Sequence, residues 1–321
     1  MHPPHIVTVE LYSNKLYWID TRGDLCCETN SGIDEKLLSR CVAMSGSNGG
    51  FVVLKENGDV YGYGDNSEGQ LSGGASTCAN IIRRVYCINN IAQISMGCNF
   101  LLCLNTEGVV WGCGGNAHQQ LGNGYARLYT PRPIEGLPCM RYVFAGGKYT
   151  SHAIDLEGKY WRWGEFTGGR IEKVGGIFND KQILQITEEW GANVVLLDAN
   201  NKLWRYSYQI DSEPEEMPVP TEFEIIQLVA NRHNDPQWTE ILDIDKNVYH
   251  KYRKQDWFKV DVGEPIQEIH GNNRILYKTI GGKLFEWLPS PEHAPTFLIK
   301  ENIFIKDIIA DKYQPKSARS W

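Results

Sequence analysis

The sequence predicts an all-β fold, a seven-bladed β-propeller, and three observations carry this prediction. A glycine-rich stretch, "GDVYGYGDNSEGQLSGG" at residues 58–74, recurs fifty residues later as "GVVWGCGGNAHQQLGNG" at 108–124. Short apolar segments joined by tight turns recur along the rest of the chain at similar spacing. No segment combines helical periodicity with capping residues. Repeats of about 45 residues made only of short strands are typical of propeller blades, each of which is one small sheet.

The repeating unit is an apolar strand, a short polar turn and an apolar-aromatic strand. It is clear at 51–64, 101–114 and 151–164, and weaker at 6–20, 193–206, 239–252 and 275–287. Only Gly and Asn, which tolerate the left-handed backbone conformation of a tight hairpin, are predicted at the turn. The predicted turn residues are Asn14, Gly58, Gly108, Gly158, Asn201, Asn247 and Gly282.

The two ends of the chain are expected to close the ring. Later hairpins follow a short segment of alternating apolar and polar residues, such as 91–97 or 265–271, but the hairpin at 6–20 lacks one. Residues 303–313 form such a segment with no hairpin after it. We therefore predict one domain over residues 1–313, closed by pairing of the N- and C-terminal strands, and a short flexible tail at 314–321.

Composition limits the possible partners and surroundings. The chain has 321 residues and a net charge of −7, so nucleic acid is not the expected partner. No apolar run reaches the length of a transmembrane helix, and a monomer without a transmembrane segment is expected. All nine cysteines precede residue 140 and none forms a CxxC pair, which favours buried thiols in the cytoplasm or another reducing compartment. Only Cys98 and Cys103 approach the spacing of zinc ligands, so no metal site is predicted.

The sequence offers no catalytic constellation. The candidate phosphate loop around Lys148 continues with Tyr149, where a P-loop needs Ser or Thr. The motifs of zinc proteases, serine hydrolases and EF-hands do not occur. The histidines, such as His118 and His152, are scattered and are interpreted as surface or core residues. We predict no catalytic residue and no cofactor.

Two connections that depart from the repeat are the predicted partner-binding loops. "NRHNDPQWTE" at 231–240 and "KYRKQDWFK" at 251–259 combine charged residues with tryptophan, which is enriched at interface hot spots. The alternative is solvated connections whose aromatic side chains point inward. A third, acidic connection at 209–224 is interpreted as a solvated linker. The candidate binding residues are Arg232, His233, Asp235, Trp238 and Trp257.

The repeats at 58–74 and 108–124 resemble those of the regulator of chromosome condensation family. The resemblance is strong over residues 46–164, through Gly69-Gln70-Leu71, Gln120-Leu121-Gly122 and Trp163-Gly164, and weak elsewhere. It implies that the repeat residues form scaffold, with the glycines of the second hairpin strand, including Gly62 and Gly112, letting strands cross near the axis and Leu71 and Leu121 filling the space between blades. The structural residues are Gly58, Gly64, Gln70, Leu71, Gly108, Gly114, Gln120, Leu121, Gly158 and Gly164.

The resemblance also implies a protein-binding function. The family includes the nucleotide-exchange factor of the small GTPase Ran, so a small GTPase or one of its regulators is the expected partner. Nucleotide exchange on a Ran-like GTPase, including by a bacterial effector inside host cytosol, is one alternative, although no loop reads as an inserted wedge hairpin. A non-catalytic adaptor or inhibitor of an unrelated protein is the other alternative.

Overall fold

The computed structural model confirms the seven-bladed propeller. It describes residues 9–12, 15–20, 22–28, 34–47, 49–71, 79–86, 88–122, 124, 126–147, 149–189, 193–207, 213–220, 222–230, 238–252, 255–271, 275–287 and 297–300. These residues form seven antiparallel sheets of four strands, and each sheet uses four consecutive strands of the chain. The chain is therefore a ring of blades, each completed locally.

The first four blades comprise sixteen strands in chain order. Blade 1 contains β1 (Val9–Tyr12), β2 (Lys15–Ile19), β3 (Leu25–Glu28) and β4 (Asp34–Leu38). Blade 2 contains β5 (Cys41–Ser47), β6 (Gly50–Lys55), β7 (Val60–Gly64) and β8 (Ala79–Val85). Blade 3 contains β9 (Ile91–Met96), β10 (Phe100–Asn105), β11 (Val110–Gly114) and β12 (Leu128–Pro133). Blade 4 contains β13 (Met140–Ala145), β14 (Thr150–Asp155), β15 (Tyr160–Gly164) and β16 (Glu172–Lys173).

The last three blades follow the same order. Blade 5 contains β17 (Ile183–Glu189), β18 (Asn193–Asp198), β19 (Leu203–Ser207) and β20 (Glu215–Met217). Blade 6 contains β21 (Ile225–Ala230), β22 (Trp238–Asp243), β23 (Val248–Tyr252) and β24 (Phe258–Val260). Blade 7 contains β25 (Ile266–Gly271), β26 (Ile275–Thr279), β27 (Leu284–Trp287) and β28 (Phe297–Lys300). Two 3₁₀-helices, Glu165–Thr167 and Gly176–Phe178, flank strand β16.

The order of strands defines two faces of the disk. Within each blade the four strands are called A to D, and A strands of neighbouring blades contact each other around the axis. Because the strands are antiparallel, the A–B and C–D connections share one end of the blades, which we call the loop face. The B–C turns and the links from D to the next A strand share the other end, the turn face.

The B–C turn repeats with one backbone conformation, and it corrects two predicted positions. In blade 4 the Asp155 N–H donates to the Lys159 carbonyl and the Gly158 N–H to the Asp155 carbonyl, both at 3.0 Å. In blade 1 the equivalent residue is Gly23, at φ 80°, and not Asn14, because the turn at 14 joins the A and B strands instead. In blade 6 it is Lys246, at φ 69°, and not Asn247. Gly, Asn and Lys therefore all occupy this left-handed position.

A side-chain oxygen at the start of most B–C turns supports this conformation. Oδ1 of Asp155 accepts the backbone N–H groups of Glu157 and Lys159 at 2.9 and 2.8 Å. Asp198 makes the same pair of bonds in blade 5, and Asn105 makes it in blade 3. Such side-chain caps are typical of Asp and Asn in turns.

Blade 1 does not need a C-terminal strand to complete it. Its four strands all come from residues 9–38, and β1 supplies the A strand that was predicted to come from residues 303–313. The predicted closing segment at 303–313 and the tail at 314–321 lie outside the described residues.

Glutamine side chains tie the A strands together near the axis. Nε2 of Gln227 donates to the Ile269 carbonyl at 2.5 Å, and its Oε1 accepts the Ile269 N–H at 2.8 Å. Gln93 bridges both backbone groups of Val143 in the same way, at 3.0 Å each. Gln185 likewise bonds blade 6. These bonds satisfy buried backbone groups that no strand partner reaches.

Candidate partner-binding face

The two predicted binding loops begin at the loop face. Residues 231–237 join β21 to β22 and form the longest A–B connection among the described strand bounds. Arg232, His233 and Asp235 lie in this connection, outside the described residues. The described ends, Ala230 and Trp238, are both buried. The two described ends lie at the loop face of blade 6, and a binding role for Arg232, His233 and Asp235 remains a prediction.

Trp238 is a core residue, which corrects the expectation of a surface contact. It begins strand β22 and its side chain is fully buried between blades 6 and 7, in a cluster with Ile269 and Tyr277. A Cβ atom on Gly271 would lie 2.7 Å from its ring, so glycine leaves room for the indole. Trp238 therefore agrees with the alternative prediction for these loops, in which the aromatic side chains point inward.

Trp257 lies in a different environment from Trp238. It is partly buried against the apolar core between blades 5 and 6, and its Nε1 donates to the Pro218 carbonyl at 2.7 Å. The Lys251 ammonium lies 5.8 Å from the centre of its ring. The two tryptophans belong to separate clusters, so the structure does not join them in one aromatic patch.

The residues of the family motif build the C–D loops of blades 2 and 3. Asn116 Oδ1 accepts the Leu121 N–H at 2.8 Å, and Asn66 does the same for Leu71. The buried Gln120 carbonyl accepts Trp163 Nε1 at 2.8 Å and Ser151 Oγ at 2.6 Å, which fastens blade 3 to blade 4. The motif is scaffold, and it fixes the loop face of these blades.

The sequence interpretation assigned the wrong reason to two glycines. Gly62 and Gly112 lie on the third strand of their blades, away from the axis. A Cβ atom on Gly112 would lie 2.7 Å from Cδ2 of Leu121, and one on Gly62 would lie 2.6 Å from Cδ2 of Leu71. The leucines pack in clusters that span neighbouring blades, as predicted. The glycines therefore admit the loop's own leucine.

Blades 4 to 7 use buried carboxylates where this motif is absent, and sequence reasoning missed them. Glu188 accepts Thr150 Oγ1 at 2.8 Å and the Gly147 N–H at 2.5 Å, from blade 5 to blade 4. Glu189 accepts Thr239 Oγ1 at 2.5 Å, from blade 5 to blade 6, and pairs with Arg205 at 2.7 Å. The available signal is the pair "EE" at the end of a strand whose other residues are mostly apolar, because a carboxylate must find partners to be buried there.

A histidine lies next to Glu188 in the core. His152 Nδ1 contacts the Tyr160 hydroxyl at 2.8 Å, and its Nε2 contacts Thr150 Oγ1 at 3.2 Å. Burial, with the neighbouring charge of Arg162, lowers the pKa of His152 to about 3. The ring is thus neutral at physiological pH, and its two nitrogens are used in these contacts. This placement confirms the interpretation of His152 as a core residue.

A second buried polar group joins blades 6 and 7. Glu240 Oε1 lies 2.8 Å from His250 Nδ1 and accepts the Tyr277 hydroxyl at 2.5 Å. Burial raises the pKa of Tyr277, and the negative charge of Glu240 raises it further. Because all three side chains are buried, this group links blades and offers no surface to a substrate.

A half-buried aromatic pair and a carboxylate lie together on the loop face of blades 3 and 4. The ring of His118 stacks on Tyr149 with centroids 4.1 Å apart and planes 6° from parallel. His118 Nδ1 lies 3.5 Å from Glu165, and both side chains are more than a third exposed. Tyr149 has φ 58°, a conformation that is costly for a bulky side chain. On the loop face, these described residues combine a flat aromatic surface with a neighbouring carboxylate.

The described residues show no metal-binding cluster. Groups of three or more His, Cys, Asp or Glu side chains placed to hold a metal ion do not occur among them. Of the cysteines that the structure describes, Cys26, Cys27, Cys41, Cys103 and Cys113 are buried and form no disulfide. Burial raises the pKa of Cys41 to about 11, which makes its thiol a poor nucleophile or ligand. In the described part of the chain, no helix is long and apolar enough to cross a membrane.

The loop that fastens blade 3 to blade 4 lies in a segment that matches a known family of repeats. Residues 107–151, which run from the B–C turn of blade 3 into blade 4, match the Regulator of chromosome condensation (RCC1) repeat. The chain is an RCC1-type propeller. The matched segment contains the Gln120-Leu121 loop and the bonds that fasten blade 3 to blade 4.

Relatives of this RCC1-type propeller share only part of its length. The human E3 ubiquitin-protein ligase HERC2 is 31% identical over 123 residues, 37% of this chain and 2% of that protein. The mouse secretion-regulating guanine nucleotide exchange factor is 30% identical over 128 residues, 38% of this chain and 27% of that protein. The Arabidopsis thaliana mitochondrial RCC1 domain-containing protein RUG3 is 26% identical over 207 residues, 56% of this chain and 46% of that protein. The propeller thus matches less than half of each relative.

Solved structures share the fold of the RCC1-type propeller. Human WBSCR16 superposes with a TM-score of 0.68 at 14% identity, covering 85% of each chain. Yeast RCC1 (Prp20), in its complex with Kap60, gives a TM-score of 0.62 at 13% identity, covering 83% of this chain and 74% of that one. At these identities the likeness describes architecture.

Proposed function

We propose that this RCC1-type propeller is a protein–protein interaction module that engages a small GTPase or one of its regulators through its loop face. The observation that carries the proposal is the contrast between the faces. The B–C turns repeat one conformation, whereas the loop face carries the widest interval between an A and a B strand, from Ala230 to Trp238, and the half-buried stack of His118 on Tyr149. Variable loops on a rigid scaffold are where binding residues concentrate.

A small GTPase is favoured as partner by the relatives. One relative is named a guanine nucleotide exchange factor, and the shared region covers 38% of this chain. The loop-face group of His118, Tyr149 and Glu165 suits a basic side chain of a partner, because a flat ring and a carboxylate both attract a cation. The buried thiols favour a reducing compartment, such as the cytoplasm, as the place where the protein acts.

Nucleotide exchange is the second candidate. Exchange needs no acid or base, only an element that binds the nucleotide-free GTPase more tightly than the loaded form. Each blade in the described part of the chain has four strands, and none of these strands forms an inserted wedge hairpin. Binding without exchange is therefore the primary proposal, and an adaptor or inhibitor of an unrelated protein is the remaining alternative.

The test is release of a fluorescent guanine nucleotide from purified small GTPases, Ran first, combined with direct binding to loaded and nucleotide-free forms. Binding without faster release supports the primary proposal. Faster release with catalytic amounts of the propeller supports exchange. Binding to no GTPase, and to no GTPase regulator tested in parallel, overturns the proposal and leaves an unrelated partner.

Variants locate the contact surface. His118→Ala on the loop face, and Arg232→Ala in the connection between β21 and β22, are expected to weaken binding about tenfold or more. The matched control is Arg22→Ala, an arginine on the turn face whose side chain is 76% exposed. Equal binding by all three variants would place the contact elsewhere.

A further inference from the structure

The turn face carries exposed aliphatic side chains on blades 4 to 7. In six blades the second residue of the B–C turn donates its N–H to the preceding D–A link, so these positions are structurally equivalent. Blades 2 and 3 place Glu56 and Thr106 there. Blades 4, 6 and 7 place Leu156, Ile244 and Ile280 there, which are 57%, 48% and 55% exposed. Blade 5 places Ala199 there. This position is thus polar in blades 2 and 3 and aliphatic in the half of the face formed by blades 4 to 7.

Two further apolar side chains belong to the same half. Phe223, 49% exposed, precedes the residue whose carbonyl accepts the Ile244 N–H at 2.9 Å. Its own carbonyl accepts Nδ2 of Asn201 at 2.9 Å, so it lies between the turns of blades 5 and 6. Ile177, 41% exposed, lies in the link from blade 4 to blade 5. Exposed aliphatic residues at equivalent positions of three blades differ from a scattered apolar residue of an ordinary surface, such as Tyr86 in the link after blade 2.

Carboxylates accompany these apolar residues. Glu157 follows Leu156, Asp245 follows Ile244, and Glu222 and Glu224 flank Phe223. All four are exposed, and none of them forms a salt bridge with another described residue. Of the cations nearby, Lys202 and Lys283 are paired with Glu216 at 2.8 Å and Glu264 at 2.7 Å. Lys159 and Lys246 lie in the same turns as Glu157 and Asp245. Exposed carboxylates therefore lie directly beside Leu156, Ile244 and Phe223.

We infer that the turn face of blades 4 to 7 is a second protein-binding surface, which takes a basic segment of a partner that carries large apolar side chains between its Lys or Arg residues. The apolar positions bury the partner's anchors, and the carboxylates provide the charge complementarity that selects a basic segment. The anchors are distributed over successive blades, so the segment is extended and follows the ring. This surface is opposite the loop face and does not depend on the proposed GTPase contact.

The test uses labelled peptides and fluorescence anisotropy. The probe is a peptide of about 16 residues in which Leu alternates with Lys, since an extended residue spans about 3.3 Å and several turns must be reached. The matched peptides replace every Lys with Glu, or every Leu with Ser. The Leu–Lys peptide is expected to bind at least about tenfold more tightly than either, and more weakly as salt rises. Equal binding of the Leu–Glu peptide overturns the inference.

Variants of the protein confirm the place of binding. The triple variant Leu156→Ser, Ile244→Ser, Ile280→Ser is expected to lose about tenfold or more in affinity for the Leu–Lys peptide. The control is Ile81→Ser, an exposed isoleucine on the outer strand of blade 2, which is expected to bind as the wild type does. Should the triple variant melt at a lower temperature, Ile244→Ser alone is expected to show a smaller loss. Wild-type affinity in the triple variant and in Ile244→Ser overturns the inference.

Charge and independence are checked in the same assay. Glu157→Gln combined with Asp245→Asn is expected to weaken the Leu–Lys peptide and to reduce the salt dependence of its binding. The triple variant is expected to bind or activate a GTPase as the wild type does, so failure of this inference and failure of the proposed function give different results. A double variant with unchanged salt dependence contradicts the role given to the carboxylates.

Discussion

Gly112 and Leu121 are complementary halves of one contact: a Cβ atom on Gly112 would lie 2.7 Å from Cδ2 of Leu121. The leucine side chain is fully buried between blades 3 and 4, where it packs with Phe100 and Val143. The same relationship recurs in blade 2 between Gly62 and Leu71. A glycine in the third strand and a leucine in the following loop are thus one structural unit of the repeat.

This contact predicts coupling between the two positions. Gly112→Ala is expected to lower the free energy of unfolding by about 1–3 kcal/mol through overpacking. Leu121→Ala is expected to lower it by about 2–5 kcal/mol through the cavity it leaves. The double variant should lose less than the sum, because the new methyl group enters that cavity. Denaturant unfolding of the four proteins measures this coupling.

The control for this cycle is Gly175→Ala. A Cβ atom at that position meets nothing closer than 3.6 Å, and the backbone φ is −94°. The free energy of unfolding of Gly175→Ala is expected to differ from that of the wild type by less than about 1 kcal/mol. Strict additivity of the Gly112 and Leu121 variants would show that the loop can move away from the strand.

The left-handed turn residue of blade 6 predicts a stabilising substitution. Lys246 has φ 69° at the position that glycine fills in five of the other blades. Lys246→Gly is expected to raise the free energy of unfolding by about 0.5–1 kcal/mol, because a side chain is strained in this conformation. The mirror variant Gly158→Ala is expected to lower stability, since φ is 82° and its Cβ would approach Gln182 Cα at 3.0 Å. Thermal unfolding measures the stability of the two variants. Destabilisation by Lys246→Gly would show that the backbone of Lys246 is not strained.

The buried histidine predicts a dependence of stability on pH. Because the folded-state pKa of His152 is lowered to about 3, the unfolded chain takes up a proton first as the pH falls below about 6.5. The contribution of neutral His152 to the free energy of unfolding is therefore fully present above pH about 6.5. It is lost as the pH falls toward 3, at about 1.4 kcal/mol per pH unit. Between pH about 7.5 and 4.5, the wild type should lose about 2–3 kcal/mol more than His152→Gln.

Comparing the two proteins isolates this effect, because carboxylates elsewhere titrate in both. His152→Gln is expected to be less stable than the wild type at neutral pH, since the contact with Tyr160 changes. Parallel pH profiles of the wild type and the variant would show that His152 is protonated in the folded protein.

The glutamine bridges between A strands predict an asymmetric cost. Gln227→Leu leaves the N–H and carbonyl of Ile269 without the partners that the side chain supplies, and is expected to cost about 2–4 kcal/mol. Gln182→Leu, on an exposed glutamine in the link before blade 5, is the matched control and should change stability little. Equal stabilities of the two variants, measured by urea unfolding, would mean that water replaces the bridge.

The candidate site could be predicted only in part. Arg232 and Trp238 are close in the chain, which is why the sequence predicts one binding loop. Trp238, however, is the first residue of a strand, and its indole is buried in the core. Trp257 was named for the same reason and packs against a different pair of blades. Burial depends on which strand face a residue occupies, and an irregular loop gives no periodicity from which to read that face.

The sequence by itself determined the number of blades, their order and the scaffold role of Gly112, Gln120 and Leu121, because these depend on local turn chemistry repeated along the chain. It misplaced two turns, at Asn14 and Asn247, since the left-handed conformation is a preference of Gly and Asn that tertiary packing can impose on Lys246. Only the tertiary structure decided that Glu188, Glu189 and Glu240 are buried between blades, and that Leu156, Ile244 and Ile280 share one face. These contacts join residues from different blades, and closure of the ring brings them together.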